Sequence, residues 1–420
     1  MQFFIFLVNL LVFMHELHLV SSADVLRRRL KNSAKKQVPK SETKPKVTMS
    51  VAPKIIVVPD VATAKVVPDV PTAKVVPDVP TVKVIPDVPR VKVIPDVPTV
   101  KVPVSKCPIG RQGELVYKVP SNDKFREISY MAYSNQTQQG NPVVWMGSDG
   151  FQNSISVVNL SLGTIINTYK LDVPAEAQAD WESLTVGPCD STGTKSCIYI
   201  GNKGNNPANF CTDQNCKFGR ELVSIYKLEE PNISKVYDSS PLKVATLVIS
   251  YAGTNFPTSR ADSESLIVDH VGDKAGGKAG DLYFITKFVT RRDLERVGKI
   301  SVESHQNLSP GSSLTVPVTA VASFLEEHTW TDATMNREGN LIAVRASNNI
   351  YFFPRDQSQT VKDALQGTPC PFVSATVMRQ NQTQFESVTF LPFPYYAEAS
   401  ECSNEIACDL SITRYKLVFG

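Results

Sequence analysis

Acidic residues precede strand-like runs at five places in the chain. The runs are REISYMAY (126–133), DWESLTVG (180–187), DSESLIVD (262–269), TDATMNRE (331–338) and FESVTFLP (385–392). Their starts are separated by roughly 50 to 80 residues, which is typical of a structural repeat with long loops. If the runs are equivalent strands of repeated units, their carboxylates should meet at one end of the fold. These carboxylates belong to Glu127, Asp180, Glu182, Asp262, Glu264, Asp332 and Glu386.

A ring of carboxylates requires compensation, because crowded negative charges repel one another. Calcium accepts about 6–8 oxygen ligands in flexible geometry, so it fits a site to which several repeats each contribute an oxygen. The sequence therefore predicts a shared Ca²⁺ site. The alternative is structural, in which each acid caps a turn or accepts backbone N–H groups where its strand begins.

Basic residues follow the same strands at Lys203, Lys287 and Arg345. If they face the acidic end, they could bind an anion such as a phosphate or carboxylate bridged by calcium. Alternatively, they are counter-charges for the carboxylates or lie on the outside of the fold.

Catalytic motifs are absent from the sequence: it contains no nucleophile elbow, no H-E-x-x-H and no phosphate-binding glycine loop. His270, His305 and His328 fall in loop-like segments without metal-ligand spacing. We therefore assign no catalytic residue, and a non-enzymatic protein is favoured.

The elements that must position these residues are short β-strands. From Cys107 onward the chain alternates runs such as NPVVWMG, CIYIGN, LIAVRA and ITRYKLVF with turns rich in Gly, Asn, Pro and Ser. Helical periodicity is limited to TAVASFLEEHTW and QTVKDALQG. Residues 107–420 are thus predicted to be all-β. At this length a β-propeller of five blades is expected, with six as the alternative. ELVYKVP (114–120) is expected to close the ring against SITRYKLVF (411–419).

Four ordered motifs carry a family resemblance: DWESLTVG, YIGNKGNN, DSESLIVD with LYFITK, and TDATMNREGNLIAVR with FESVTF. They resemble an uncharacterised family of secreted propeller proteins that is common in bacteria. The resemblance covers about residues 107–420 and implies a propeller, without implying an activity. This chain departs from the family at GNKGNN, where Asn202 and Asn205 replace the usual acidic residues.

The N-terminal quarter has a different character. Residues 1–22 combine an apolar run with small residues at the end, which predicts a cleaved secretory signal. Residues 23–55 are polar and basic and are predicted to be disordered, serving as a spacer, an anion-binding arm or a processing site at Arg27–Arg29. Residues 56–106 contain five nine-residue units of the type KVVPDVPTA. Two prolines in most units predict an extended stalk of roughly 140 Å, acting as a spacer or a multivalent strip.

Charge separates the two parts of the chain. Residues 24–106 hold 17 Lys and Arg against 7 Asp and Glu, a net charge of +10, whereas residues 107–420 hold 27 against 33, a net charge of −6. This asymmetry predicts that the arm contacts an anionic polymer or mineral surface. The arm lacks interleaved aromatic residues, which argues against nucleic-acid binding. No segment after the signal is long and apolar enough to span a bilayer, so no membrane span is expected.

Cysteines and glycosylation sequons fit a secreted protein. The even count of 8 cysteines predicts disulfides. Their spacing pairs Cys189 with Cys197, Cys211 with Cys216, Cys402 with Cys408, and Cys107 with Cys370. Sequons predict glycans at Asn135, Asn159, Asn232, Asn307 and Asn381.

These observations together predict a secreted, glycosylated, non-enzymatic binding or matrix protein, in which the propeller binds calcium and the basic arm contacts an anionic matrix or mineral surface. Two alternatives remain open. One is a calcium-dependent propeller hydrolase acting on phosphate or lactone esters, and the other is a protein–protein interaction module.

Overall fold

The computed structural model describes most of the segment after residue 106. The described ranges are 107–118, 128–148, 153–173, 181–202, 223–235, 240–250, 263–286, 296–323, 330–346, 349–371, 374–375, 382–402 and 411–419. The predicted signal, basic segment and repeat stalk lie outside the described residues.

The strands form five mainly antiparallel sheets, each assigned here as one blade. Blade 1 contains β2 (Tyr130–Gln138), β3 (Asn141–Gly147), β4 (Ser154–Asn159), β5 (Thr164–Asp172) and β9 (Leu242–Lys243). Blade 2 contains β6 (Trp181–Pro188), β7 (Ser196–Asn202), β8 (Val223–Glu229), β10 (Ala245–Ser250) and β14 (Ser313–Pro317). Blade 3 contains β11 (Ile267–Val268), β12 (Leu282–Ile285), β13 (Arg296–Ile300) and β15 (Thr319–Ser323).

The remaining two sheets complete the set. Blade 4 contains β16 (Trp330–Met335), β17 (Leu341–Ala346), β18 (Asn349–Pro354) and β19 (Ser374–Ala375). Blade 5 contains β20 (Gln382–Phe390), β21 (Tyr395–Cys402), β22 (Ser411–Phe419) and β1 (Pro108–Lys118). The α-helix α1 (Val361–Gln366) and a 3-10 turn (Val302–Ser304) lie in connections.

The innermost strands are β2, β6, β11, β16 and β20, one from each blade. They contact one another in this order around the ring, and β20 contacts β2 to complete it. Five sheets that meet in this way around one axis form a five-bladed β-propeller. The five acidic runs found in the sequence each supply or lead into one of these innermost strands.

The hydrophobic core is divided among the five blade interfaces. One buried cluster fills each interface, including the one between blade 5 and blade 1. Trp145, Trp181 and Trp330 lie in these clusters, fully buried against tyrosines. Because both faces of a blade are covered, a central strand such as β17 is buried at every position instead of alternating between buried and exposed residues.

The N-terminal strand closes the ring, as the sequence predicted. β1 pairs antiparallel with β22, and Val116 and Tyr117 face Thr413 and Ile412 respectively. A disulfide between Cys107, directly before β1, and Cys370 in blade 4 reinforces this closure.

The two expected helical segments have different outcomes. QTVKDALQG forms α1, which starts with a capping box in which Thr360 and Asp363 bond to each other's main chain. In TAVASFLEEHTW the helix prediction is wrong for Thr319–Ser323, which form β15 and pair with β13. Thr319 and Val321 are β-branched and favour a strand, and pairing with β13 at the edge of blade 3 decides the outcome.

Candidate functional site

Four of the seven predicted calcium-binding carboxylates lie in the described part of the chain, and all four are buried: Glu182, Glu264, Asp332 and Glu386. Glu127, Asp180 and Asp262 lie outside the described residues. Within the described ranges, no group of three or more His, Cys, Asp and Glu side chains could hold a metal ion. The described carboxylates therefore do not form a calcium site by themselves, and the shared site stays a prediction.

Asp332 has the structural role that was the alternative to metal binding. Its Oδ1 accepts the backbone N–H of Ala333 at 2.7 Å, and its Oδ2 accepts the backbone N–H of Val388 at 2.7 Å. The carboxylate thus joins the innermost strand of blade 4 to that of blade 5. A buried carboxylate held by two amides stabilises the junction without any ion.

Arg345, predicted to bind an anion, is fully buried between blades 4 and 5. Its Nη1 lies 3.1 Å from Oε1 of Glu398, which is itself completely buried, and its guanidinium packs over the ring of Phe385 at 4.6 Å. This geometry favours the counter-charge alternative, because the charge is balanced inside the protein. Lys203 and Lys287, the other predicted anion-binding residues, lie outside the described residues.

A cavity of about 690 Å³ lies at the end of the central channel that is opposite the acidic strand starts. Its walls come from four innermost strands, β2, β6, β16 and β20, and from the turns that follow β11, β16 and β20. Thr185, Thr334 and Thr389 contribute hydroxyl-bearing side chains from three different blades. Apolar side chains line much of the remainder, namely Val186, Met335, Phe390, Leu391, Pro392 and Phe393. Such a mixture of apolar walls and few polar groups is typical of a small-molecule site. We call it the channel-end cavity.

His270 enters the channel-end cavity from the turn that follows β11. Its imidazole is partly accessible but closely surrounded by the channel walls, and this enclosure lowers the pKa of His270 to about 3. The nearby charge of Arg337 acts in the same direction, and a hydrogen bond to the Met335 main chain opposes both. The ring is therefore neutral near pH 7; its single N–H is donated to the Met335 carbonyl, and its other nitrogen can accept a hydrogen bond.

A buried ion pair fixes the turn that carries His270. Asp269 receives two bonds from Arg355, Nη1 to Oδ1 at 3.1 Å and Nη2 to Oδ2 at 3.0 Å. Both side chains of the pair are completely buried, and Arg355 also donates to the carbonyls of Gly272, Gly339 and Gln359. The pair connects blade 3 to blade 4 in fork-to-fork geometry, which restricts orientation as well as distance.

Arg337 spans the channel from blade 4 to blade 1, although these blades are not neighbours in the ring. It follows β16, and its Nη2 donates to the carbonyl oxygen of Ser134 at 2.5 Å. Its guanidinium lies over the ring of Tyr133, 4.3 Å from the centroid. Arg337 thus places a cation at the edge of the channel-end cavity in a fixed plane.

Sequence reasoning missed the channel-end cavity because it considered only where the innermost strands begin. The same sequence runs contain the relevant residues: DSESLIVD is followed at once by His270, and TDATMNRE contains Arg337. A titratable or cationic residue directly after two equivalent strands would have indicated a second cluster at the far end of the channel.

Two of the predicted disulfides are confirmed. Cys189 pairs with Cys197 across the turn between β6 and β7, and Cys107 pairs with Cys370. The predicted bonds Cys211–Cys216 and Cys402–Cys408 involve side chains outside the described set. Disulfides form and persist in oxidising compartments, so the two bonds are consistent with an extracellular protein. Neither described helix is long and apolar enough to cross a membrane.

The predicted glycosylation sites differ in accessibility. Asn135, Asn232 and Asn307 are exposed. Asn159 is buried, its Nδ2 donates to Oε1 of Gln138, and its Oδ1 accepts the N–H groups of Ser161 and Leu162. A glycan on Asn159 would require this turn to open, so the structure argues against modification there. Asn381 lies outside the described residues.

Neither a family model nor a curated protein matches the chain. Among solved structures, it is similar to a luciferin-regenerating enzyme at 11% identity and a TM-score of 0.37, over 74% of this chain and 95% of that one. A structure of the mitotic checkpoint complex gives 10% identity and a TM-score of 0.31 over 76% and 97%. The Dos1 propeller gives 8% and 0.32 over 69% and 68%. These likenesses are too distant to inform function, and the fold assignment stands on the strand pairing above.

Proposed function

We propose that the chain is a secreted binding protein whose basic arm attaches it to an anionic extracellular matrix, including a mineralised one, while its propeller presents a binding surface. A propeller serves as a binding or interaction module in general, because its rigid blades hold loops and a channel in fixed positions. The observation that carries the proposal is the junction at Cys107, where a segment of charge +10 joins a closed ring of charge −6.

The junction is suited to an anchored protein. A force applied through the arm reaches the propeller at β1, the outermost strand of blade 5. Without a cross-link, that force would separate β1 from β22. The Cys107–Cys370 disulfide passes it to blade 4 instead. The ring therefore stays closed while the arm is held, which is what attachment to a matrix requires.

The regular lysines of the repeats supply the attachment. Lys65, Lys74, Lys83, Lys92 and Lys101 recur every nine residues. Weak contacts at regular intervals add through effective concentration, so the arm can bind a polyanion firmly although each lysine binds weakly. The contact should weaken with salt, because exposed charges are screened over about 8 Å at physiological ionic strength.

The test compares two full-length variants with the same loss of charge. In the arm variant, the five repeat lysines become glutamine. In the control, five exposed propeller lysines become glutamine, namely Lys170, Lys235, Lys243, Lys274 and Lys362. Elution from a heparin column and adsorption to calcium carbonate are measured against salt. We expect the arm variant to elute at clearly lower salt than the control. Equal elution of the two variants would contradict the proposal.

A further inference from the structure

We propose that the channel-end cavity binds a small organic monocarboxylate with an apolar body, and that Arg337 is the residue that recognises its carboxylate. This site lies at the end of the channel opposite the acidic strand starts and is lined by propeller residues. The inference therefore goes beyond the proposed matrix attachment and can fail or succeed independently of it.

The size and lining of the cavity define the body of the ligand. A volume of about 690 Å³ falls in the range of drug-sized ligand pockets. Phe393, which is only partly buried, offers an aromatic ring on which a flat or branched hydrocarbon group packs well, whereas Phe390 and Met335 also belong to the packed blade-interface clusters. A ligand of this kind would bury most of its surface there, which supplies the apolar part of the binding energy.

Arg337 supplies the charged end of the site. One of its Nη2 donors is used by Ser134, which leaves the remaining donors of the guanidinium to a ligand. Stacking on Tyr133 holds the plane of the fork, so little side-chain freedom is lost when a carboxylate binds. Among the described residues, no carboxylate lies within ion-pair distance of Arg337.

The neighbouring acids are occupied by other donors. Glu230 accepts hydrogen bonds from the Ser134 hydroxyl, the Asn135 N–H and the Trp145 indole at its Oε1. Glu338, which also lines the cavity, accepts from Nδ2 of Asn336 at 2.9 Å. These contacts keep both acids in place, so that they moderate the field of Arg337 without pairing with it.

The moderate charge of the cavity selects a monoanion. His270 is neutral, so it adds no second positive charge to the cavity. With one arginine and two nearby glutamates, Glu230 and Glu338, the cavity has no excess of cations to match a doubly charged phosphate. A single carboxylate satisfies the arginine fork with two parallel bonds, and Thr334 offers a hydroxyl group beside it.

The experiment uses matched pairs that differ only in charge. Isothermal titration calorimetry of the full chain compares benzoate, octanoate and 4-phenylbutyrate with benzyl alcohol, octanol and 4-phenylbutanol, and includes inorganic phosphate. We expect at least one carboxylate to bind saturably and about tenfold more tightly than its alcohol, since a charge-assisted bond is lost in the alcohol. Phosphate should not bind measurably at the same concentration.

Two variants assign the site. Arg337→Gln should remove the preference for the carboxylate, whereas Lys170→Gln, an equal loss of charge at an exposed position in blade 1, should preserve it. Thr334→Leu fills the cavity and should weaken the binding of the acid and of the alcohol alike.

If Arg337→Gln does not fold, the wild-type comparison and Thr334→Leu still decide the question. The proposal is overturned if no carboxylate saturates, if alcohols bind equally well, or if the folded Arg337→Gln or Thr334→Leu variant binds like the wild type. The five-lysine arm variant should bind the carboxylate normally, which separates this test from that of matrix attachment.

Discussion

Replacing Arg355 with methionine should destabilise the propeller strongly, because it leaves the charge of Asp269 buried without its cation. Removing one partner of a buried ion pair costs about 3–5 kcal/mol. Asp269 keeps two donors, the backbone N–H groups of Val271 at 3.1 Å and Gly272 at 2.9 Å. These bonds reduce the cost, so the pair itself should account for a value near the lower end, about 3 kcal/mol.

The carbonyl groups to which Arg355 also donates hydrogen bonds add to this loss of stability. Gly272, Gly339 and Gln359 each lose a donor. An unsatisfied buried group costs about 1–3 kcal/mol, although water can reach some of these positions in the variant. We therefore expect the free energy of unfolding to fall by about 3–5 kcal/mol. For a domain of this size the melting temperature should fall by roughly 2 °C per kcal/mol, or about 6–10 °C.

Urea unfolding monitored by tryptophan fluorescence measures this change, because Trp330 lies at the same blade 3–blade 4 interface. Asp269→Asn in the Arg355→Met background should recover part of the stability by removing one of two uncompensated charges, since Oδ2 of Asp273 also lies 3.5 Å from Nη2 of Arg355. The matched control is Lys195→Met, which breaks the exposed pair between Lys195 and Glu229 and should cost less than about 1 kcal/mol. If Arg355→Met costs no more than Lys195→Met, the reasoning about this pair is refuted.

Two further predictions concern the cross-links and the acidic strand starts. Cys107–Cys370 closes a loop of 263 residues and Cys189–Cys197 one of 8. In the chain-entropy description, serine replacement should cost roughly 5 kcal/mol for the first bond and roughly 2.5 kcal/mol for the second, and equal melting temperatures of the two variants would contradict it. Asp332→Asn should destabilise by about 1–3 kcal/mol, to the same extent with EDTA as with calcium, because both oxygens already accept backbone N–H groups. A loss that occurs only with calcium present would instead support the predicted calcium ring.

The fold could be predicted largely from the sequence because its signals are local and repeated. In each blade an acidic residue precedes a strand-like run, and short spacing pairs Cys189 with Cys197. Ring closure could be anticipated as well, since a propeller needs a partner for its last sheet and only a strand at the other end of the domain remains.

The side-chain contacts of the site could not be predicted from the sequence, for a geometric reason. In a blade covered on both faces, alternation does not reveal where a side chain points, so the sequence could not tell that Arg345 faces Glu398 inside a blade interface. In the same way, nothing local indicates that Arg337 reaches Ser134 across the axis. Such contacts depend on the curvature of the closed ring, which is a property of all five blades together.

Closure of the ring by β1 also has a consequence for biosynthesis. Among the described strands of the propeller, the ribosome makes β1 first and β22 last, and β22 is the strand with which β1 pairs. Until β22 has been made, the nascent chain therefore carries an unsatisfied edge that could pair with another chain. We expect blade 5 to complete its sheet only after β22 has left the ribosome, and chaperones to shield β1 until then.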